Sequence, residues 1–304
     1  MAKICVVLSG SGVYDGAELH ESVLTLLALH EAGAEVVMTA PSGPQLHVVN
    51  HLTGEVAEGE SRDILVESAR VARGAIVAIE DVNLDEIDGV VFPGGFGVAK
   101  NLCTFAIKGP ECDVNTQVDT FLRAAHDRGL PLGFACISPA LAAAVFREGK
   151  LTVGSDDDPA ADGLRALGAE HVACRTEDVV VDEDRKIVST PAYMTDTTLV
   201  NLRAGLKGMV DQVLTWAQNS AQSAAFAELD GWSLDGRSLA KTWRFEGDAA
   251  PLAWVNRVWE VAQVHQHHPD VTLGYGAVTI KLTTHDLGGL SAADFKLASA
   301  IDAL

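Results

Sequence analysis

Short hydrophobic runs separated by helical stretches set the pattern of the first two thirds of the chain. KICVVLS (3–9), AEVVMTAP (34–41), the run leading into FPGGFG, and LPLGFA (130–135) are near-continuous apolar strings. Strands buried on both faces of a parallel sheet read this way. Between the first two, AELHESVLTLLALHEAG carries apolar residues at helical spacing and stops at Gly33, which predicts a helix with a glycine C-cap. Leu19, Val23, Leu26 and Leu27 are expected to form its buried face, with Glu21 on a flank shared with Leu24 and Ala28. VVNHLTGE (48–55) reads as a polar loop or hairpin. KLTVGS (150–155), an acidic helix over 159–168, a hairpin over 179–194 and a long helix over 197–217 follow. Strands alternating with helices predict a doubly wound α/β domain over residues 1–217.

The period then changes. AQNSAQSAA (217–225) is small and polar, and 218–225 is read as a linker. Residues 226–304 predict an α+β domain, opening with a hairpin about Asp235-Gly236 whose second arm alternates through Leu239, Lys241, Trp243 and Phe245. PLAWVNRVWEVAQVHQ places Val255, Val258, Trp259 and Ala262 on one helical face, and Pro269 requires that helix to stop near His268. VTLGYGAVTIKLTTH is a strand with His285 on the side of Lys281 and Thr283, and a closing helix starts near Ser291 with Asp294 in its first turn.

Composition narrows the function. Of 304 residues 48% are hydrophobic and 21% charged, which marks a globular chain rather than a disordered one. A formal net charge of −20 argues against nucleic acid or an anionic membrane as partner. No apolar run reaches the roughly 20 residues of a membrane helix, and MAKICVVLSG reads as a first strand, not a signal peptide. The five cysteines have no CxxC spacing, so neither a disulfide framework nor a zinc cluster is indicated, and the cytoplasm is the expected compartment. GSGVYDG (10–16) fails the dinucleotide fingerprint because its third glycine falls one residue late.

Two sets of residues carry candidate chemistry. Cys136 stands where LPLGFA hands over to the helix PALAAAVF, with Ser138 as the expected N-cap and Pro139 in the first turn. In open α/β sheets that edge binds ligands, and the helix N-terminus should favour thiolate over thiol. A small core hydrophobe is the alternative for Cys136. Glu21, if buried, would hold a proton near neutrality; otherwise it is an exposed helix carboxylate. Gly94 and Gly95 follow a strand and could turn backbone N–H groups toward a ligand oxygen, or simply make a turn. In the second domain His265, His267, His268 and His285 suit acid–base work, with a solvated histidine run as the plainer reading. A metal site is disfavoured, since adjacent histidines cannot easily aim at one ion and no cysteine or carboxylate completes the set.

LSGSGVYDGAELHES, NHLTGE, PGGFGVAKN, PLGFACISPA and VDEDRKIVSTPAYM resemble the ElbB branch of the ThiJ/PfpI superfamily, within the class I glutamine amidotransferase-like fold. That resemblance implies a flavodoxin-like doubly wound sheet and a glutathione-independent glyoxalase that converts glyoxal-type dicarbonyls to 2-hydroxy acids. It also implies Cys136 as nucleophile, Glu21 as its proton partner, and Gly94 and Gly95 around an oxyanion pocket. No histidine follows Cys136 as in protease-like relatives, and His171 lacks a glutamate at amidotransferase spacing, so peptidase and glutaminase activities are not expected. DGWSLDGRSLAKTWRF, HQHHPDVTLGYGAVTIKLTTHDLGGLSAADF and LASAID resemble pterin-4a-carbinolamine dehydratase. This second resemblance implies His267, His268 and His285 as the histidines that dehydrate a 4a-hydroxytetrahydropterin, with Asp294 supporting the substrate site. Gln263 stands where that family often has an acid, and the family's first helix looks shortened. The expectation is a two-enzyme fusion needing no metal or diffusible cofactor, acting on two small molecules as a homodimer or higher homo-oligomer. A regulatory or dimerisation protein, or a thiol redox sensor at Cys136, are the competing classes.

Overall fold

The computed structural model describes residues 1–246 and 249–304 and divides into two compact units, Met1–Ala217 and Gln218–Leu304. In the first, the apolar strings become strands β1 (Lys3–Val7), β2 (Glu35–Ala40), β3 (Val77–Ala78), β4 (Gly89–Phe92), β5 (Leu132–Ala135), β6 (Val180–Asp182) and β7 (Ile187–Thr190). They form one sheet in the order β6-β7-β5-β4-β1-β2-β3, parallel throughout except for the edge strand β6. β4 and β5 are buried along their whole length, which is why they read as near-continuous apolar runs, and β7 is buried throughout although it ends in Ser189 and Thr190. The chain winds outward from β1 to β2 and β3, then returns to β4 on the other side of β1. That reversal opens a crevice at the carboxyl ends of β1 and β4.

Helices α1 (Leu19–Glu31), α2 (Ile64–Val71), α3 (Thr116–Asp127), α4 (Pro139–Phe146), α5 (Pro159–Ala166) and α6 (Leu199–Ala227) connect or flank the strands. Separate hydrophobic clusters pack against the sheet, one centred on the stacked rings of Phe92 and Phe134 and one on Ile4, Val6, Met209 and Val213.

The α1 face differs from expectation. Leu19, Val23 and Leu27 are exposed, at 46%, 57% and 41%, while Glu21, Ser22, Thr25, Ala28 and Leu29 are buried. Small side chains at 22, 25 and 28 allow close packing, the Ser22 hydroxyl donates to Glu18 O at 2.6 Å, and the Glu21 carboxyl finds internal donors. Satisfied polar groups can therefore occupy the face that hydrophobicity alone assigned to leucines.

The stretch 218–225, expected to be a linker, is helical and belongs to α6. It contains neither glycine nor proline, and its alanines and glutamines favour helix. Ala225 and Phe226 pack on the core of the second unit, so the end of α6 supplies the first helix that looked shortened there.

The second unit is an antiparallel sheet of β8 (Ser233–Asp235), β9 (Ser238–Arg244), β10 (Asp270–Gly274) and β11 (Ala277–Leu282), in the order β8-β9-β11-β10, with helices α7 (Ala249–His265) and α8 (Ala292–Asp302). Val278, Ile280 and Leu282 alternate into its core against Val258, Ala262, Leu297 and Ile301. The inward face of α7 is Trp254, Val258 and Ala262; Trp259 is exposed instead. The Trp254 ring lies 4.4 Å from Trp243 and 5.7 Å from Phe245, and these aromatic contacts fix the helix rotation. His285 does not continue the β11 alternation: the strand ends at Leu282, Thr284 pairs with Gly289, and His285–Leu287 form a 3-10 turn. Among the described residues no helix is long and apolar enough to cross a membrane.

Candidate functional site

Three residues separate the end of β5 from the start of α4, and the chain reverses within them. Cys136 adopts φ 60°, a left-handed conformation that costs a residue with a Cβ about 1–2 kcal/mol. Its N–H donates to Thr190 O on β7 at 3.0 Å, which holds the turn in place. Ser138 is not the capping group the sequence suggested. It has helical dihedrals, and its hydroxyl faces the carbonyls of Ala135 at 2.6 Å and Phe92 at 3.0 Å, tying the turn to β4.

Glu21 enters from the first turn of α1 and is completely buried. Oε2 accepts from Gly94 N–H at 2.9 Å, Oε1 from Tyr193 N–H at 3.3 Å, and the carboxyl shares a hydrogen bond with the Cys136 thiol. The Glu21 backbone N–H donates to the Glu18 carboxylate at 2.7 Å, so Glu18 caps α1. Burial, and then the neighbouring Glu18 charge, push the Glu21 carboxyl up to about 7 against the pull of its three hydrogen bonds. Burial and the Glu21 charge also push the Cys136 thiol well above its usual range, opposed by the Gly95 and Ile137 N–H groups. The expected bias toward thiolate is therefore reversed. Desolvation beside a carboxylate outweighs the dipole of a two-turn helix, and the pair rests as a thiol donating to a buried base.

The two glycines have separate duties. A Cβ on Gly94 would lie 2.2 Å from Cys136 Cβ and 2.5 Å from Glu21 Oε2, so only glycine lets the thiol and the carboxyl approach across that strand end. Its N–H is committed to Glu21, which leaves the Gly95 and Ile137 N–H groups, both directed at Cys136 Sγ, to face an oxygen held at the sulfur. Gly95 has φ +100°, and a Cβ there would meet Gly16 O at 2.4 Å. A cavity of about 790 Å³ opens on Cys136, lined in part by Glu18, Gly95, Ile137 and Tyr193. Sequence reasoning missed Glu18, Ile137 and Tyr193 as site residues. Glu18 stands three positions before Glu21 at an N-cap, a readable signal; Tyr193 has none, since only the fold brings the end of β7 to α1.

In the second unit α7 ends in a Schellman turn. Gln266 has φ 50°, and the His267 N–H donates to Ala262 O while the Gln266 N–H donates to Gln263 O. The left-handed residue, followed by Pro269, carries His267 and His268 off the helix axis. His267 Nε2 meets Asp294 Oδ1 at 2.7 Å. Asp294 is fully buried at the start of α8, and its Oδ2 accepts from Ser291 N–H at 2.7 Å and the Thr284 hydroxyl at 2.7 Å. With both oxygens engaged and no exposed surface, Asp294 is placed to support the site through His267, whose ring it orients and whose tautomer it fixes. His268 and His285 are exposed, with the His268 ring 5.3 Å from Trp259. Among the described residues no three His, Cys, Asp or Glu side chains are grouped to hold a metal ion. His171 is buried in the first unit, where it accepts from Val153 N–H and faces Asp156, away from Cys136's partners.

A cysteine on a strained strand–helix turn, backed by a buried acid at the switch point of a doubly wound sheet, defines an amidotransferase-like α/β domain; an α+β unit with a buried-Asp histidine pair follows it. The human glutamine amidotransferase-like class 1 domain-containing protein 3, mitochondrial, is 44% identical over 221 residues, covering 70% of this chain and 82% of that protein. The mitochondrial ES1 protein homolog of Rattus norvegicus is 43% identical over a similar span. A crystal structure of an isoprenoid biosynthesis protein with amidotransferase-like domain from Ehrlichia chaffeensis superposes with TM-score 0.67 at 34% identity, over 71% of this chain and 99% of its own. The family described as pterin 4 alpha carbinolamine dehydratase matches residues 215–304. A relative from Trichormus variabilis named for that enzyme is 39% identical over 90 residues, 30% of this chain and 94% of its own. The chain belongs to the ES1 family of glutamine amidotransferase-like proteins, and carries a pterin-4-alpha-carbinolamine dehydratase domain at its C-terminal end.

Proposed function

We propose that the protein is bifunctional: a glutathione-independent glyoxalase in the first unit and a 4a-hydroxytetrahydropterin dehydratase in the second. The observation that carries the first activity is the hydrogen-bonded Cys136–Glu21 pair, buried yet opening on a cavity. The thiol gives its proton to Glu21 as sulfur bonds to the aldehyde carbon, and Glu21 passes that proton on to the former carbonyl oxygen, which faces the Gly95 and Ile137 N–H groups. Glu21, again a carboxylate, then takes the hydrogen of that carbon as a proton and returns it to the adjacent carbon, while the hydroxyl proton of the first carbon moves to the neighbouring oxygen, so the first carbon is oxidised and the second reduced with no outside oxidant. Water cleaves the resulting thioester to the 2-hydroxy acid and frees the thiol. A carboxyl that titrates at about 7 suits both halves of this transfer. The same upward shift of the thiol weighs against a peroxide-sensing role, which needs thiolate.

For the second unit, His267 held by Asp294 beside exposed His268 and His285 supports acid–base removal of the 4a-hydroxyl, with the pterin as substrate and no cofactor. A homodimer or larger assembly belongs to this reading, supported by the exposed Leu19, Val23 and Leu27 stripe and by the unpaired edge of β10 with exposed Leu273. The five free cysteines support a reducing compartment such as the cytoplasm, although the human and rat relatives are named as mitochondrial. The test is a pair of substitutions in the full chain: Cys136→Ala should abolish dicarbonyl turnover and spare pterin dehydration, and His267→Ala the reverse. Wild-type protein that turns over neither substrate would refute the proposal and leave a regulatory or binding protein.

A further inference from the structure

We infer that the Cys136 cavity selects an uncharged α-oxo aldehyde bearing a long apolar tail, of about six carbons or more, over small or carboxylated dicarbonyls. The inference rests on the glyoxalase reading for the reacting end of the substrate. Size is the first argument. Five heavy atoms at about 30 Å³ each, the share of a water molecule in its liquid, occupy roughly 150 Å³. A three-carbon dicarbonyl would thus fill about a fifth of the 790 Å³ available. An eight-carbon tail brings the ligand to roughly 360 Å³ on the same scale, well inside the space.

The walls are the second argument. Away from the sulfur the cavity is bounded by Val13, Phe96, Phe105, Pro110 and Met194, which offer no side-chain hydrogen bond to a small polar ligand. Phe105 is seated there because Gly163 on α5 leaves it room: a Cβ on Gly163 would lie 2.5 Å from the ring. Charge is the third. Among the described residues Glu18 and Asp162 are the charged groups of the lining, no lysine or arginine lines it, and Glu21 lies just behind Cys136. Lys100 sits 5.4 Å from the Phe96 ring but its Nζ donates to Tyr14 O. A substrate carboxylate would meet only like charge beside the nucleophile, whereas an alkyl chain would displace water from apolar walls.

The experiment uses the full chain and a series of n-alkylglyoxals with tails of one to eight carbons, with a glyoxal whose three-carbon tail ends in a carboxylate as the charged comparison. A buried methylene contributes about 0.8 kcal/mol, so kcat/KM should rise about fourfold per added methylene until the cavity is filled, with the carboxylated glyoxal below the alkylglyoxal of equal length. Ala106→Trp, on the exposed side of the wall, should flatten that slope. Binding of unreactive 2-alkanones of the same lengths to Cys136→Ala, measured by calorimetry, gives a readout that needs no turnover. Turnover of glyoxals with no dependence on tail length, or a preference for the carboxylated glyoxal, overturns the inference while leaving the glyoxalase reading intact. A chain-length slope in ketone binding with no glyoxal turned over supports the apolar specificity and sinks the glyoxalase reading instead. No slope in either measurement overturns it.

Discussion

Replacing Glu21 by glutamine should make the protein's stability less dependent on pH while destroying its dicarbonyl chemistry. The folded carboxyl titrates at about 7 against an ordinary value of 4.5, because burial and Glu18 penalise its charge. Between those two values the unfolded chain has released the proton and the folded chain still holds it. The unfolded state therefore binds fewer protons, and stability falls as pH rises. The contribution is fully present below about 4.5 and gone above about 7, a total of about 3 kcal/mol at 1.36 kcal/mol per pH unit. From pH 5 to pH 8 the same relation leaves about 2.5 kcal/mol. Glutamine cannot ionise, so Glu21→Gln should lack that component while keeping the side chain's shape. The assay is urea unfolding of both full-length proteins at pH 5, 6, 7 and 8, followed by far-ultraviolet circular dichroism. Subtracting variant from wild type removes the titration of every other group, including the second unit. The variant should gain on wild type by about 2.5 kcal/mol over this range. Parallel pH dependences, within about 0.5 kcal/mol, would show that Glu21 is not a buried carboxyl of raised proton affinity and would remove the basis for its role as proton carrier.

Three further outcomes follow from other parts of the molecule. Gly94→Ala drives a Cβ to 2.2 Å from Cys136 Cβ, so it should cost about 1–3 kcal/mol in a denaturation midpoint and reduce dicarbonyl turnover at least a hundredfold; unchanged kinetics would refute the close approach. Asp294→Asn should lower the dehydration rate by about 10²-fold by loosening His267, with dicarbonyl turnover unaltered in the same preparation; equal loss of both activities would point to unfolding instead. His285→Ala removes an exposed side chain from a 3-10 turn and should move stability by no more than about 0.5 kcal/mol, yet abolish dehydration in a stopped-flow assay.

How much of this could be read from the chain depends on how local each cause is. The parallel strands, the turn at Cys136 and the hairpin about Asp235-Gly236 were legible because burial on both faces and turn chemistry leave their mark within a few residues. Cys136 and Glu21 could be singled out as residue types in the right places, as could His267 and His268 before Pro269. Their electrical state could not. The helix dipole is visible in sequence, but what overrides it at Cys136 is burial within the first unit and the charge of Glu21 brought up from α1. The rotation of α1 escaped for the same reason, since hydrophobicity favoured Leu19, Val23 and Leu27 while donors from Gly94 and Tyr193 made Glu21 the buried one.

The sequence by itself determined two domains, their classes, and a thiol and a histidine pair at element ends, since patterning and turn residues act along the chain. Tertiary structure alone decided that Gly94 N–H serves an acid rather than an oxyanion and that Asp294 acts through His267. Those outcomes rest on contacts between residues far apart in sequence, such as Glu21 with Gly94 and Tyr193, which no local preference encodes.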